Sequence, residues 1–271
     1  MQPRDSATAS SPLSLRRLLT LAARDTAMAL REPSTLACYV LTAAAVAFFG
    51  SMAAPESSAE LTRLASAWMT YLAIAMTMTS TVSTHLANTI IRENAHGDYL
   101  TLVRCGVRPG EIVAAKLIAA LLVNAIATML ALLAIDALCP AIAGCATRTP
   151  GGLAALLLAG CAGGAPLIVG SIAPCLSSRD FSRDGWWVII PTAMALAPIA
   201  TVFSPGIATP FALLPMGPAG ELVFSAIAGR APALPAAALM AVYIGWLAVG
   251  AAMLVRAAHR FSCSIAREAA A

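Results

Sequence analysis

The sequence has few charged residues. Asp, Glu, Lys and Arg make up 11% of its 271 residues, and Lys116 is the single lysine. A soluble domain carries about 25% charged residues, so a water-facing surface over most of the chain is excluded. Hydrophobic residues reach 59% and the mean hydropathy is +0.82. These values predict a chain with most of its surface in lipid.

Residue patterns for catalysis and metal binding are missing too. The seven cysteines form no CxxC pair and no zinc-type spacing with histidine, so no metal site is expected. No GxxxxGK[ST] loop is present to hold nucleotide phosphates, and the chain is not expected to be an enzyme. The scattered arginines and few aromatic residues argue against a nucleic-acid partner. A disulfide between Cys139 and Cys145 stays open, because it depends on the compartment they face.

Six apolar stretches are long enough to cross a bilayer, which takes about 20 helical residues. They form a transmembrane domain over 34–256, at about 34–53, 64–91, 110–138, 152–176, 186–203 and 236–256. Between the last two, the Pro-rich segment 204–235 is too apolar for a solvated loop and too broken for a span. We therefore predict an all-α integral membrane protein with six transmembrane helices and short re-entrant helices between the fifth and sixth.

The two ends of the chain are predicted to be cytoplasmic. Residues 1–33 comprise a polar tail without a cleavable signal and an interfacial amphipathic helix, in which Arg17, Arg24 and Arg31 share one face. Leu15, Leu18, Leu19, Ala22 and Ala29 form its opposite, apolar face. Residues 257–271 are a basic tail. Only Arg63, Arg148 and Arg230 fall on the predicted outer side, so the chain is expected to be a multi-pass protein of the plasma membrane.

The most informative segment runs from Arg92 to Lys116, RENAHGDYLTLVRCGVRPGEIVAAK. Glu93 precedes Gly97 by four residues, Lys116 follows it by nineteen, and a Val-Arg-Pro-Gly-Glu turn ending at Glu111 lies between. This pattern resembles the cytoplasmic signature of ABC-2 type transporter permeases: a Glu before a "G-T-L-E-x-L" run, an "(L/V)-x-P-x-E" turn and a Lys in the next helix. The usual Thr and Glu after the glycine are replaced here, whereas the spacings are kept.

The resemblance implies the permease subunit of an ATP-binding cassette exporter. Two such permeases, as a homodimer or heterodimer, would each dock on a cytoplasmic ATPase subunit. That subunit would bind ATP and Mg, and this chain would bind neither directly. The cargo would be drug-like, lipid-like or peptide. A coupling helix in the 92–108 loop would be gripped by the ATPase. The residues assigned to coupling are Glu93, Gly97, Leu100, Arg104, Arg108, Pro109, Glu111 and Lys116.

Each of these roles has a simpler alternative. Glu93 and Lys116 either pair across the bases of two spans or are separate charges that reach toward water. Gly97 either permits a sharp turn or is an ordinary loop glycine. Arg104 and Arg108 either contact acidic groups on the ATPase or only fix the orientation. For the whole chain, the alternative function is an ion-coupled secondary transporter, although we find no repeat relating the two halves.

The second predicted span is rich in Thr, Ser and Met. Its polar residues either line a substrate path or pack inside the protein, since hydroxyls in lipid bond to the helix backbone or to a neighbouring helix. The candidate path residues are Met76, Thr77, Thr81, His85 and Asn124. His85 and Asp136 are intramembrane ionisable groups, and we expect them at opposite depths. In the fourth span, Gly160 and Gly164 have the spacing of a close helix contact.

Overall fold

A computed structural model describes residues 14–33, 37, 39–41, 44, 59–138, 150–178 and 185–270. Within these ranges the regular structure is helical and contains no strand, so the predicted all-α class is confirmed. The α-helices whose two ends are among the described residues are α1 (Leu15–Arg31), α2 (Ala59–Ser80), α3 (Thr89–His96), α4 (Asp98–Arg104), α5 (Pro109–Leu138), α6 (Pro150–Ala162), α7 (Ala165–Ser177), α8 (Ile189–Leu196), α9 (Ala200–Phe203), α10 (Ala208–Ala212), α11 (Gly217–Ala228) and α12 (Ala236–Ala270). Most of the first predicted span, and both Cys139 and Cys145, lie outside the described residues.

In the part of the chain that the structure describes, three helical stretches are long and apolar enough to cross a membrane. They are Pro109–Ile135, Ala154–Ser177 and Ala236–Glu268, and they coincide with the third, fourth and sixth predicted spans. The middle one joins α6 to α7 through a short turn at Gly163 and Gly164. These helices indicate a membrane protein.

The second predicted span lies within a longer helical rod that runs from Ala59 to His96. A π-helical segment, Thr81–Asn88, connects α2 to α3 without a break. Hydroxyls within it donate to backbone carbonyls four residues earlier, as Thr81 does to Thr77 at 2.9 Å and Ser83 to Thr79 at 2.8 Å. Such bonds compete with the regular helical ladder. Long π-helical segments are rare and often lie at functional sites.

The fifth predicted span differs from the single helix expected over 186–203. It is a series of short pieces: a 3₁₀ turn over Gly185–Val188, α8, a second 3₁₀ turn over Ala197–Ile199, and α9. Pro191 and Pro198 lie inside this series, and a proline removes one backbone donor and clashes with the preceding turn. The segment that follows, predicted to form short helices, contains a 3₁₀ turn and then α10 and α11.

Close helix contacts occur where side chains are small. A Cβ atom on Gly164 would lie 2.6 Å from Cγ of Met78, and one on Gly160 would overlap Thr128. The predicted close contact at Gly160 and Gly164 is therefore confirmed. A similar contact joins α7 to α12, where a Cβ on Gly250 would lie 3.1 Å from the backbone of Gly170. Away from that contact α12 is mostly uncovered, since only 11% of its apolar window is buried.

Candidate functional site

A sharp turn separates α3 from the short helix α4, which we call the loop helix. Gly97 ends α3 with a left-handed backbone, φ +76°, and its N–H donates to carbonyls of Glu93 and Asn94. Residues with a Cβ atom rarely adopt this conformation. A Cβ at Gly97 would nevertheless meet nothing within 4 Å. The glycine is therefore required by the backbone conformation and not by crowding, in agreement with the turn predicted there.

The loop helix has one buried face and one exposed face. Tyr99 is buried and packs edge-on against Phe261 of α12, with ring centroids 5.3 Å apart. Burial, and then the negative charge of Glu93, raise the pKa of Tyr99 well above its ordinary value, so its phenol stays protonated. Leu100 is half-buried on the packed side, whereas Arg104 is exposed. The exposed face also carries Asp98 and Thr101, and it is open to a partner.

Four charged side chains meet where α1, α3 and α5 come together. Nζ of Lys116 lies 2.7 Å from Oε2 of Glu93 and 2.9 Å from Oδ2 of Asp25. On its other oxygen, Asp25 accepts from Arg24 at 2.8 Å. The pairing of Glu93 with Lys116 is therefore confirmed. We call Arg24, Asp25, Glu93 and Lys116 the charge cluster.

The charge cluster is buried but formally neutral. Lys116 is 1% exposed, Asp25 2% and Glu93 7%, while Arg24 reaches solvent. The contacts of Lys116 are close ion pairs that lack hydrogen-bond geometry. Burial lowers the pKa of Arg24, but its contacts with Asp25 and its electrostatic interactions with Glu93 and Tyr99 together raise it, and the net shift is upward. Because a buried charge without its partner is costly, the four groups hold the three helices in one arrangement.

Asp25 was not identified from the sequence, although a signal was present. Ala22, Asp25 and Ala29 are the buried residues of α1, and their spacing places them on one helical face. A carboxylate in the middle of an alanine stripe indicates a buried cationic partner. The predicted apolar face is divided in the structure, because Leu15 and Leu19 are 67% and 53% exposed whereas Ala22 and Ala29 pack against the protein.

Glu111 fixes the far end of the loop. One carboxylate oxygen accepts from the backbone N–H of Arg108 at 3.1 Å, and the other from that of Ser14 at 3.0 Å. The first bond is half of a capping box at the start of α5, where Pro109 occupies the first helical position. The second ties the start of α1 to the same point. The loop between α3 and α5 is thus held at both ends.

The candidate path residues lie mostly inside the protein. Thr77 contacts Thr128 at 3.1 Å between hydroxyls, and Asn124 donates to the carbonyl of Gly160 at 3.1 Å. Thr81 is buried and Met76 half-buried. These contacts confirm the packing interpretation of this span, while a role in transport stays a prediction.

His85 is the exception among these polar groups. It is 1% exposed, and neither ring nitrogen has a hydrogen-bond partner among the described residues. It lies in the π-helical segment, within electrostatic range of Lys116 and Asp25. The side chain of Asp136 is outside the described part of the chain, so their expected separation stays a prediction.

A second, partly buried ion pair lies among the short helices and was not predicted from the sequence. Glu221 of α11 accepts from Arg230 at 2.7 Å and from the N–H of Ala233 at 2.8 Å. The Arg230 guanidinium also lies 5.0 Å from the centre of the Phe224 ring. Glu221 and Arg230 are the only acidic and basic residues in the sequence of the segment 204–235. One acidic and one basic residue in an otherwise uncharged segment could have indicated that they pair. The bonds hold α11 against the segment that leads into α12.

Among the described residues, no group of three His, Cys, Asp or Glu side chains is placed to hold a metal ion. Compared with known proteins, the sequence matches no family model and no curated relative. Its function is therefore inferred from the loop pattern and from the geometry around that loop.

Proposed function

We propose that this chain is the membrane-spanning permease subunit of an ATP-binding cassette exporter. A separate cytoplasmic ATPase subunit would bind the loop helix and hydrolyse ATP with Mg²⁺. The observation that carries the proposal is the connection from the loop helix to the charge cluster. Only Gly97 separates the loop helix from α3, which carries Glu93. Glu93 forms an ion pair with Lys116 of α5, and Lys116 forms a second ion pair with Asp25 of α1.

This arrangement suits the transmission of a mechanical push. A partner pressing on Asp98, Thr101 and Arg104 would act on a helix whose inner face is packed against Phe261 of α12. The same push would act on the loop between α3 and α5. The ion pairs of the charge cluster hold one end of that loop, and the hydrogen bonds of Glu111 hold the other. Nucleotide does work on the cargo only if the closed ATPase favours one of two permease conformations. The proposed cargo is a drug-like, lipid-like or peptide molecule that is moved out of the cytoplasm.

The proposed topology has six spans, both termini in the cytoplasm, and a second permease in the complex. The helix Ala59–His96, α5, α6 with α7, and α12 would supply four of the spans, with the segments 34–53 and 186–203 as the other two. The helices α10 and α11 would be re-entrant, with their backbone covered by protein as the bilayer demands. Leu15 and Leu19 of α1, exposed in the protein, would enter the lipid interface.

Co-purification tests the proposal. The tagged protein is isolated from its native membranes, and its partners are searched by mass spectrometry for a chain with a GxxxxGK[ST] loop. We expect such an ATPase with the wild type and with Arg267→Glu, an exposed arginine on α12, but not with Arg104→Glu. Transport by the purified chain alone, without any ATPase, would contradict the proposal.

The ion-coupled secondary transporter remains a second candidate because of His85. A buried imidazole without a hydrogen-bond partner among the described residues, within electrostatic range of the charge cluster, is suited to bind a proton. Proteoliposomes distinguish the two functions. Uptake that needs a proton gradient, persists without nucleotide and is lost in His85→Gln would favour the secondary transporter, whereas dependence on ATP and the partner subunit would favour the exporter.

A further inference from the structure

A groove runs along the exposed side of α12, between α7, α8 and α12. Its volume is about 600 Å³, within the range of small-molecule sites. The walls are apolar and include Leu167, Ala173, Ile190, Met194, Val249 and Met253. On α12, the lining residues recur at helical spacing from Trp246 to Arg260.

Charge is confined to one end of this groove. Arg256 and Arg260 line it, both are exposed, and neither has a carboxylate within ion-pair distance among the residues that the structure describes. Trp187 also lines it and is 9% exposed. Its indole N–H has no hydrogen-bond partner in the described part of the chain. The groove therefore offers unpaired cationic and donor groups beside an apolar wall.

The length of the groove matches one leaflet of a bilayer. Trp246 and Arg260 are separated by roughly 21 Å of helix at ~1.5 Å per residue. One leaflet is about 20–22 Å thick with its headgroup region, of which about 15 Å is hydrocarbon. With an acyl chain along the apolar wall, a headgroup phosphate would then lie at the level of the arginines. In the proposed topology this end faces the cytoplasm, where anionic lipids are enriched.

We propose that this groove binds an anionic phospholipid of the inner leaflet, with its phosphate at Arg256 and Arg260 and one acyl chain against Val249 and Met253. The two arginines distinguish this occupant from a neutral lipid, for which an apolar groove alone would be enough. The inference depends on the proposed topology but not on the ATPase.

Lipid retention by the purified full-length protein tests the proposal. The protein is reconstituted in nanodiscs of phosphatidylglycerol and phosphatidylcholine, extracted into mild detergent, and examined by native mass spectrometry. We expect retained phosphatidylglycerol with the wild type. Replacing Arg256 and Arg260 by Gln should lower retention at least about fivefold, from the contribution of one basic residue near an anionic surface. Arg267→Gln, which removes one positive charge from the same helix outside the groove, should retain the lipid.

A second variant examines the acyl-chain wall. Val249→Trp should fill the groove and reduce retention while the arginines remain, and Met253→Trp serves if that variant fails to fold. Equal retention of both lipids, equal loss in Arg267→Gln, or unchanged retention in the folded tryptophan variant would overturn the proposal. So would a Val249→Cys crosslink showing that a second copy of the chain covers the groove. None of these readouts requires transport, so the exporter proposal can fail separately.

Discussion

Nζ of Lys116 lies 2.9 Å from Oδ2 of Asp25, which fastens α1 to α5 through buried charges. The same nitrogen contacts Glu93 at 2.7 Å, so one lysine joins three helices. An interfacial helix that only lay on the membrane would need no such connection. Because Lys116 connects α1 to α3 and α5, a push on the loop helix would move these three helices together.

Lys116→Met should strongly destabilise the protein. Without the ammonium, Glu93 is buried without a cation and Asp25 keeps only Arg24, and removing one partner of a buried pair costs about 3–5 kcal/mol. Thermal unfolding in detergent measures the loss. The triple variant Asp25→Asn, Glu93→Gln, Lys116→Met, which removes the opposing charges together, should recover much of the stability. A triple variant no more stable than Lys116→Met would show that packing, and not charge, is what the lysine supplies.

Substitutions at Gly97 should separate backbone conformation from crowding. Gly97→Ala should lower the free energy of unfolding by about 1–2 kcal/mol, because alanine disfavours the left-handed backbone. Gly97→Asn should lower it less, because asparagine tolerates that region. Gly97→Pro, whose φ is fixed near −65°, should misdirect the loop helix and abolish transport while membrane insertion continues. We expect the same loss of transport with intact insertion in Glu93→Ala.

Gly110 provides the matched control for these substitutions. It lies in the first turn of α5, just after the loop, its φ is not positive, and a Cβ there also meets nothing within 4 Å. Gly110→Ala should keep full transport and stability, as measured by uptake assays and thermal unfolding. Full transport in Gly97→Pro and Glu93→Ala would remove the basis for the coupling assignment.

The loop site was predictable from sequence because its spacing is local. Glu93, Gly97 and Lys116 lie within one segment, and the turn and the ion pair follow from helix geometry on both sides of it. Asp25 reaches the same site from a distant helix, and only its position between Ala22 and Ala29 indicated burial. Burial of the pair was not anticipated either, because it is α1 that covers Lys116. The 3₁₀ turns that interrupt the fifth predicted span were not predicted, because its apolar composition was given more weight than Pro191 and Pro198.

The contact of Gly160 with Thr128 should make this glycine intolerant of any side chain. Gly160→Ala would push a methyl group into Thr128, and such overpacking typically costs about 1–3 kcal/mol. Gly245 of α12, where a Cβ meets nothing within 4 Å, is the control, and Gly245→Ala should be neutral or stabilise by up to about 1 kcal/mol. Unfolding in mixed detergent micelles compares them. Equal stability of both variants would disprove a tight contact between α5 and α6.

The packing of Tyr99 on Phe261 should couple the loop helix to α12. Their rings meet at 86° with centroids 5.3 Å apart, a geometry worth about 0.5–1.5 kcal/mol beyond buried area. A double-mutant cycle with Tyr99→Leu and Phe261→Leu should give a coupling energy in that range. Hydrogen exchange should show faster opening of Asp98–Arg104 in both single variants, since each releases the same face of the loop helix. If α12 only fills space there, the coupling energy will be close to zero and exchange in the loop helix will not change in Phe261→Leu. In that case a push on the loop helix would reach the membrane through α3 and α5 alone, and α12 would be free to move independently of them.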